Sequence, residues 1–428
     1  MSSTLLKFPR LNAPKLQHLP NGLTIVAEQM PVEAVNLNLW VKVGSAVESD
    51  AINGMAHFLE HMIFKGTKRL ASGEFERKIE ERGAVTNAAT SQDYTHYYLT
   101  AAPKDFAKLA PLQIDLVMNA CIPDDAFERE RLVVLEEIRR SEDNPQRRTF
   151  TKVMETAFEK LPYRRSVLGP QAVISQLQVQ QMRSFHAQQY QPKSITAVAV
   201  GNLPEEELIE IIESGFANIE RQEVANIQTQ DVTSFPVEPG FTKIVRREYV
   251  DQSLQQARLI MLWRVPGLME LNQTYALDVL SAILGHGRTS RLWRNLREER
   301  ELVNYISVNN MTHQRQGTFY IAAHCAVENL GAVEETIVQH IRSIQNEIEH
   351  SEIIRVRKRV ANRFIFANER PSDRANLYGY YQTLVGDLEP AFDFPYHIQR
   401  QDADILMETA KTYLSTDAYG IVVIKPKS

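Results

Sequence analysis

The segment LNLWVKVG, from Leu37 to Gly44, recurs in altered form as IMLWRVPG, from Ile260 to Gly267. A second pair of similar segments, YQPKSITAVAVGNL and YLSTDAYGIVVIKP, is separated by the same 223 positions. Two ungapped matches at one spacing, which bracket about the same length of chain, indicate a duplicated unit. The sequence therefore predicts two homologous halves.

Both halves show a similar succession of strand and helix patterns. Strand-like segments open each half (NGLTIVAEQ and VNLNLWVKV, then KIVRREYV and ARLIMLWRV), and a β-branched segment closes each (ITAVAV and YGIVVI). Helical patterns lie between them in runs of unequal number. This interleaving favours an α+β fold over a doubly wound parallel sheet. We expect two homologous sandwich domains, each with an antiparallel-rich sheet packed with helices.

The polar stretch IERQEVANIQTQDVTSFPVEPG separates the two halves. It has no sustained apolar period and ends in prolines and a glycine, which is typical of a linker. We therefore place the N-terminal domain at residues 1–218, the linker at 219–240 and the C-terminal domain at 241–428.

Composition excludes several classes of protein. The chain has 428 residues, 43% hydrophobic and 24% charged, and a formal charge of −5, so it lacks the basic surface that nucleic-acid binding requires. No apolar run approaches the roughly 20 residues of a membrane span, and the first residues show no secretory signal. The two cysteines, Cys121 and Cys325, imply no disulfide framework. We expect a cytoplasmic protein without membrane insertion.

The segment HFLEH, from His57 to His61, has the spacing of a metal site. On a helix, His57, Glu60 and His61 project from one face. Two imidazoles four residues apart can take neighbouring corners of a tetrahedral zinc ion, and Glu60 can then reach a water molecule at the metal. The same five letters also occur as an ordinary polar helix, so the motif alone leaves both readings open.

A third zinc ligand is expected on the helix predicted for DDAFERERLVVLEEIRRSEDNP. Glu130 and Glu137 are seven residues apart and share a face, whereas Glu136 points away by about 100°. We predict a buried side formed by the apolar positions of this segment, which are Phe127, Leu132, Val134, Leu135 and Ile138. A solvated charged helix is the alternative reading.

With these segments in order, the chain resembles the family of pitrilysin, insulysin and the mitochondrial processing peptidase, whose H-x-x-E-H motif is that of the inverzincins. In that family the ligand glutamate follows the motif by about seventy-six residues, and another glutamate precedes it by seven; here Glu137 and Glu130 stand at those spacings. The resemblance covers essentially the whole chain. It implies one zinc ion per chain at His57, His61 and Glu137, with Glu130 as a supporting carboxylate.

The resemblance also implies a zinc endopeptidase that acts on unfolded peptides. Glu60 would take a proton from water and pass it to the leaving amine. In GAVTNAATSQDYTHYYL, the residues Asn87, Ala88 and Thr90 match the family's edge strand, to which a peptide adds by backbone hydrogen bonds. An ordinary polar edge strand is the alternative, and we expect a structural role for His96.

The second half departs from the family pattern. The positions equivalent to the motif are Leu280, Ile283 and Leu284, so this half should bind no zinc. Family members typically have an arginine and a tyrosine seven residues apart, which stabilise the substrate carbonyl. Here Arg297 matches, but Asn304 stands at the tyrosine position and the tyrosine follows as Tyr305; a one-residue shift in a strand reverses the side chain. Either a small backbone adjustment brings Tyr305 to the substrate, or the pair is broken in this chain. A solvated helix end around Arg297 is the alternative.

A displaced tyrosine indicates how the chain could assemble. Some relatives are heterodimers, with zinc on one subunit and the arginine–tyrosine pair on a sister chain. We expect this chain to form half of a clamshell, which closes as a homodimer or as the zinc-bearing subunit of a heterodimer. Two alternatives stay open: a structural subunit of the same family, and a peptide-binding module with a structural zinc.

Overall fold

The computed structural model describes residues 13–217, 219 and 226–427. The first half contains a six-stranded sheet, made of β1 (Lys15–His18), β2 (Thr24–Gln29), β3 (Val35–Val41), β4 (Val85–Thr90), β5 (Thr95–Ala101) and β6 (Ile195–Gly201). Their order across the sheet is β1-β2-β6-β3-β5-β4. β2 and β6 are parallel, and the other neighbours are antiparallel.

Eight helices accompany this sheet in the described part of the first half: α1 (Met55–Ile63), α2 (Glu74–Glu80), α3 (Pro103–Met118), α4 (Asp124–Asp143), α5 (Pro145–Ala157), α6 (Gln171–Ile174), α7 (Val179–Gln189) and α8 (Glu205–Phe216). One face of the sheet packs against the helices. Leu37 and Leu39 of β3 share a buried core with Phe58 of α1 and Phe106 of α3.

The second half contains a five-stranded sheet, made of β7 (Val245–Val250), β8 (Ala257–Pro266), β9 (Val303–Met311), β10 (Gln316–Cys325) and β11 (Gly420–Lys425). Its order is β7-β11-β8-β10-β9, with β7 and β11 parallel. Apart from β1, this is the order of the first sheet, strand for strand. The predicted duplication is therefore visible in the topology, and the predicted α+β fold is confirmed.

Six helices lie in the second half as far as it is described, 226–427: α9 (Leu271–Gly285), α10 (Leu330–Ile344), α11 (His350–Phe366), α12 (Pro371–Leu384), α13 (Glu389–Arg400) and α14 (Ala403–Tyr413). A short π-helical segment, Trp293–Glu299, precedes β9. Among the described residues no helix combines the length and apolar composition needed to cross a membrane.

The two halves exchange one helix each. Val153 and Met154 of α5 pack on Leu262 and Val422 of the second sheet. In return, α12 lies on β3 and β6 of the first sheet, where the Tyr378 hydroxyl donates a hydrogen bond of 2.8 Å to the buried Glu28 carboxylate. Each sheet is therefore covered on its second face by the other half.

The predicted linker lies partly outside the described residues, which omit 220–225, as does part of the predicted N-terminal domain, 1–12 and 218. The described part of the linker is fixed to both halves. The Glu238 carboxylate accepts backbone hydrogen bonds from Lys160 and Leu161 at 2.8 and 2.9 Å and pairs with Arg264 at 3.0 Å. The division at 219–240 stays a prediction.

Candidate metal centre

Helix α1 carries the histidine motif, and a buried glutamate fixes its first turn. Glu48 accepts hydrogen bonds from the backbone N–H groups of Gly54 at 2.8 Å and Ala56 at 2.7 Å. Gly54 has a φ of 96°, a left-handed conformation that favours glycine. Burial raises the pKa of Glu48 to about 7, although its hydrogen bonds act in the opposite direction. Glu48 lies outside the motif, and no sequence pattern indicated its role.

Helix α4 supplies the carboxylates and is held against α1 by stacked rings. Phe58 and Phe127 stack with centroids 4.7 Å apart. Phe127, Val134 and Ile138 are buried as predicted, but Leu132 is 67% exposed, so its assignment to the buried side was wrong. Arg131 is buried instead and donates to the carbonyl of Leu177 at 2.7 Å. A charged residue can be buried here because loop carbonyls accept its hydrogen bonds.

The two histidines and Glu137 converge. His57 Nε2 lies 3.4 Å and His61 Nε2 lies 3.6 Å from the same Glu137 oxygen, Oε2. Three ligand atoms, one from each residue, lie within 4.8 Å of one another. Burial, the neighbouring His61 and then Arg147 lower the pKa of His57 to about 4, which favours its neutral, metal-binding form.

Glu130 supports His61 from the other side of the ring. His61 Nδ1 lies 3.0 Å from Glu130 Oε1, and Lys65 Nζ lies 2.7 Å from Glu130 Oε2. Burial acts to lower the pKa of His61, but Glu137 and Glu130 together raise it. A carboxylate on Nδ1 leaves Nε2 for a metal, which is a common arrangement for metal-binding histidines.

This donor set fits zinc. Tetrahedral zinc has ligand distances of about 2.0–2.1 Å, which places any two ligand atoms about 3.4 Å apart. The distances of 3.4 and 3.6 Å between the histidine nitrogens and the Glu137 oxygen agree with that spacing. Within the described chain, no fourth His, Cys, Asp or Glu joins this group, so a tetrahedral ion would keep an open position.

Glu60 lies beside the three ligands and is oriented by the edge strand. The Thr90 hydroxyl donates a short hydrogen bond to Glu60 Oε2. Burial raises the pKa of Glu60 above its usual range, against the effect of this bond. Thr90 therefore contacts Glu60 through its side chain, a role that the sequence pattern did not indicate.

A cavity of about 660 Å³ opens in front of His57, Glu60 and Glu137. Ala89 and Thr90 at the end of β4 line it, and β4 is an edge strand, paired on one side with β5. The predicted contact residues Asn87 and Ala88 lie on the same strand. Neither is among the described residues that line the cavity.

The opposite wall of the cavity contains Arg147, which our sequence analysis did not identify. Its side chain is exposed on the first turn of α5 and has no carboxylate partner among the described residues. Its charge is close enough to lower the pKa of both His57 and Glu137. No sequence pattern linked Arg147 to Glu137, because the two residues are ten positions apart and lie on different helices.

Arg297 and Tyr305 do not line this cavity. The Arg297 guanidinium lies over the Trp293 ring at 4.4 Å. Opposite Tyr305 on the neighbouring strand is His324, whereas Cys325 is opposite Val303, so Asn304 is the extra residue of a β-bulge. Asn304 and Tyr305 are both exposed, Tyr305 at 43%. In a regular strand, residue 304 would lie on the exposed face of the sheet and residue 305 on the buried face. Because of the bulge, Tyr305 lies on the exposed face instead.

Comparisons with known proteins identify the family of the chain. Residues 24–171 match the family model described as insulinase (peptidase family M16), and residues 176–360 match the peptidase M16 inactive domain. The chain is 25% identical over 409 residues to an uncharacterized zinc protease of Rickettsia felis, which covers 95% of this chain and 97% of the relative. It is 28% identical over 419 residues to the zinc protease PqqE of Helicobacter pylori, with coverage of 95% and 92%.

Solved structures show the same fold. A protease from Helicobacter pylori superposes with a TM-score of 0.88 at 25% identity, over 98% of this chain and 100% of the other. An M16-like peptidase from Alicyclobacillus acidocaldarius, at 20% identity, has a TM-score of 0.83 over 99% and 100% of the two chains. The match of both halves to M16 models, together with these whole-chain similarities, shows that the chain belongs to peptidase family M16.

Proposed function

We propose that this chain is a zinc-dependent endopeptidase that hydrolyses unfolded peptides. The observation that carries the proposal is the approach of His57 Nε2 and His61 Nε2 to one oxygen of Glu137, with Glu60 beside them. Relatives along the whole chain are named zinc proteases, which supports zinc and peptide hydrolysis at the level of the family.

His57, His61 and Glu137 would hold the zinc ion, and Glu130 would keep His61 in the correct tautomer. A bound zinc ion supplies Lewis-acid polarisation of a carbonyl and lowers the pKa of water. Glu60 accepts the proton of the attacking water on its carboxylate and delivers it to the leaving nitrogen. Burial raises the pKa of Glu60, which favours its uptake of a proton, and the Thr90 hydroxyl donates a hydrogen bond that orients the carboxylate.

The substrate would bind in extended form along β4. The outer edge of this strand carries backbone groups that can pair with a peptide, and Asn87, Ala88 and Thr90 lie in its last four positions. Main-chain recognition needs an extended segment, which folded substrates seldom offer. This supports unfolded peptides as the substrate class.

The decisive experiment compares Glu60→Gln with His61→Ala. Glu60→Gln should keep zinc, measured by metal analysis, and lose hydrolysis of a quenched peptide, whereas His61→Ala should lose both. Glu136→Gln is the matched control because Glu136 is exposed on α4 and pairs with Arg139. Full hydrolysis by Glu60→Gln would refute the assignment. Chelation should abolish wild-type activity, and added zinc should restore it.

We further propose that the active form is a dimer. Arg297 and Tyr305 lie away from the chain's own cavity, so they would act on the substrate at a partner's zinc site, as a homodimer or with a sister chain. Native mass measurement reports the assembly. In a homodimer, an equal mixture of Glu60→Gln and Tyr305→Phe chains should regain about a quarter of the wild-type sites after subunit exchange. An active monomer of the pure chain would contradict this proposal.

The alternative is a structural or peptide-binding subunit of the same family, which would retain no zinc-dependent hydrolysis with any partner. The four residues His57, His61, Glu137 and Glu60 disfavour it, because a scaffold has no need of an open three-ligand site with a base beside it. A cytoplasmic location is also a proposal. It is supported by the cysteine content, because two cysteines in different halves imply no disulfide framework and suit a reducing compartment.

A further inference from the structure

The second half contains a cavity of about 770 Å³ at the place equivalent to the metal cavity of the first half. It lies between α9, α11, α12 and β9, the counterparts of α1, α4, α5 and β4. The position equivalent to Glu137 is Val360, which lines this cavity, and those equivalent to His57 and His61 are Leu280 and Leu284, which are fully buried. The duplicated unit has therefore kept the cavity and lost the metal ligands.

One wall of this second cavity is aromatic. The rings of Trp40 and Tyr94 have centroids 4.6 Å apart, Tyr94 and Tyr380 are 6.2 Å apart, and Tyr380 and Tyr381 are 5.5 Å apart. Trp40 and Tyr94 come from the first half, and the other two come from α12. His96 completes this cluster and packs against Trp40 with ring centroids 4.6 Å apart. Ring faces of this kind attract cations.

A carboxylate faces the same space. Asp278 accepts one hydrogen bond, from Asn310 Nδ2 at 2.9 Å, and has no ion-pair partner in the described ranges of the chain. Burial raises its pKa to about 7, and its charge in turn acts on Tyr380 and Tyr381. Asp278 lacks a cationic neighbour in the described ranges, so a ligand that supplies a cation would stabilise its charged form.

Arg363 also lines the cavity. Burial lowers the pKa of His286, a hydrogen bond with the Val308 backbone raises it, and the charges of Arg359 and then Arg363 lower it. Among the described residues, Asn310 and no cation opposes the effect of burial on the pKa of Asp278. Asp373 adds a second carboxylate to the lining. Asp278 and the rings of Tyr380 and Tyr381, on whose pKa its charge acts, therefore form a negative and aromatic part of the lining.

We propose that this cavity binds an organic cation, with an alkylammonium or guanidinium group against Asp278 and its alkyl part against the aromatic wall. A metal ion is disfavoured, because the described residues bring only His57, His61 and Glu137 together as a three-ligand set. The cation could belong to a free amine or to a basic side chain of a peptide, since both present the same chemistry. The proposal does not depend on peptidase activity.

Calorimetric titration of the full chain with butylguanidinium tests whether the second cavity binds an organic cation. Butylurea serves as the neutral isostere. Butylguanidinium should bind, and butylurea should bind about tenfold more weakly or not at all. Asp278→Asn should reduce guanidinium affinity about tenfold, whereas the exposed control Asp404→Asn should not. Equal binding of the two ligands, or unchanged affinity of Asp278→Asn, would overturn the proposal.

Two further measurements keep the test independent of folding and of zinc. Ala282→Met fills the cavity without changing its charge and should also weaken binding, which covers the case in which Asp278→Asn fails to fold. Chelator-treated protein should bind butylguanidinium as the untreated protein does, and loss of binding on chelation would place the ligand at the zinc site and refute the proposal. N-acetyl-arginine methylamide, which presents an arginine side chain on a peptide backbone, identifies the source of the cation. Tighter binding of this compound than of butylguanidinium indicates a peptide side chain, and weaker binding indicates a free amine.

Discussion

Arg147 is a cation that faces the proposed zinc ligands without an acidic partner of its own in the described chain. Its charge reaches His57 and Glu137, and its side chain lines the cavity at the first turn of α5. A guanidinium in this position can donate charge-assisted hydrogen bonds to a substrate carbonyl or carboxylate. Such a contact would supply part of the stabilisation that the distant Arg297 cannot give within one chain.

Replacing Arg147 should therefore weaken substrate binding. Because hydrogen bonds to charged groups contribute about 1.5–3 kcal/mol, Arg147→Met should lower kcat/KM by about 10- to 100-fold, chiefly through KM. Arg147→Lys should retain part of the kcat/KM that Arg147→Met loses. The control is Arg129→Met, since Arg129 is exposed on α4 and pairs with Asp125. Unchanged steady-state kinetics in Arg147→Met would show that the guanidinium does not touch the substrate.

At this scale the sequence was informative where residues act through fixed helical spacing. His57, Glu60 and His61 share a helix face by geometry alone. Glu130 contacts His61, as the seven-residue spacing between Glu130 and Glu137 implied. Arg147 and Glu48 could not be predicted, because their contacts depend on how separate segments pack. The metal assignment of these residues still requires the zinc measurement.

Among the elements, helix α1 depends most on a residue outside itself. Its first turn has no side-chain cap from the preceding residue, Gly54, and two of its early N–H groups are satisfied by the buried Glu48. Asn53 Nδ2 donates to the same carboxylate at 2.8 Å. A helix N-terminus favours a negative charge, but full burial opposes it, and the raised pKa of Glu48 shows that burial prevails.

Glu48 should therefore make stability depend on pH. With a pKa of about 7 in the folded chain and about 4.3 when unfolded, the folded state retains the proton longer. The contribution of Glu48 to the free energy of unfolding is largest below about pH 4 and falls as the pH rises to about 7, by up to about 1.4 kcal/mol per pH unit. Urea unfolding at pH 5, 6 and 7 should show this slope in the wild type and its loss in Glu48→Gln.

Glu136→Gln provides the surface control for that experiment. If the stability difference between wild type and Glu48→Gln grew as the pH rose, the ionised carboxylate would be the better cap, and the effect of burial would be smaller than inferred. Metal-depleted protein should be used in parallel, because zinc binding adds its own pH dependence through His61.

The β-bulge in β9 shows why strand register resisted sequence analysis. Counting residues placed Asn304 where the family has tyrosine, and it left open whether a backbone adjustment restores Tyr305 or the pair is broken. The extra residue is absorbed at the pairing between Val303 and Cys325, and Ile306 and Val308 return to the core. A bulge follows from the neighbouring strand, so local sequence could not reveal it.

For the whole molecule, the exchange of α5 and α12 has the largest structural consequence. Internal similarity indicated two halves, and their sheets have matching orders. It did not indicate that each half completes the other, because the apolar face of a helix does not show which sheet it will cover. Arg374 and Tyr378 of α12 both bind the fully buried Glu28 of β2, so this contact is polar as well as apolar.

The exchange predicts that neither half is stable alone. A fragment of residues 1–240 would lack α12, leave Val26, Trp40 and Val198 without cover, and remove both partners of Glu28. We expect this fragment to bind a hydrophobic dye and to aggregate, and co-expression with 241–428 to restore a compact complex. In the intact chain, Tyr378→Ala should cost roughly 3–5 kcal/mol and lower the single unfolding transition of both halves together. A fragment 1–240 with native cooperative unfolding would show instead that each sheet forms its own complete core, and the shared helices would then be a mere contact between independent domains.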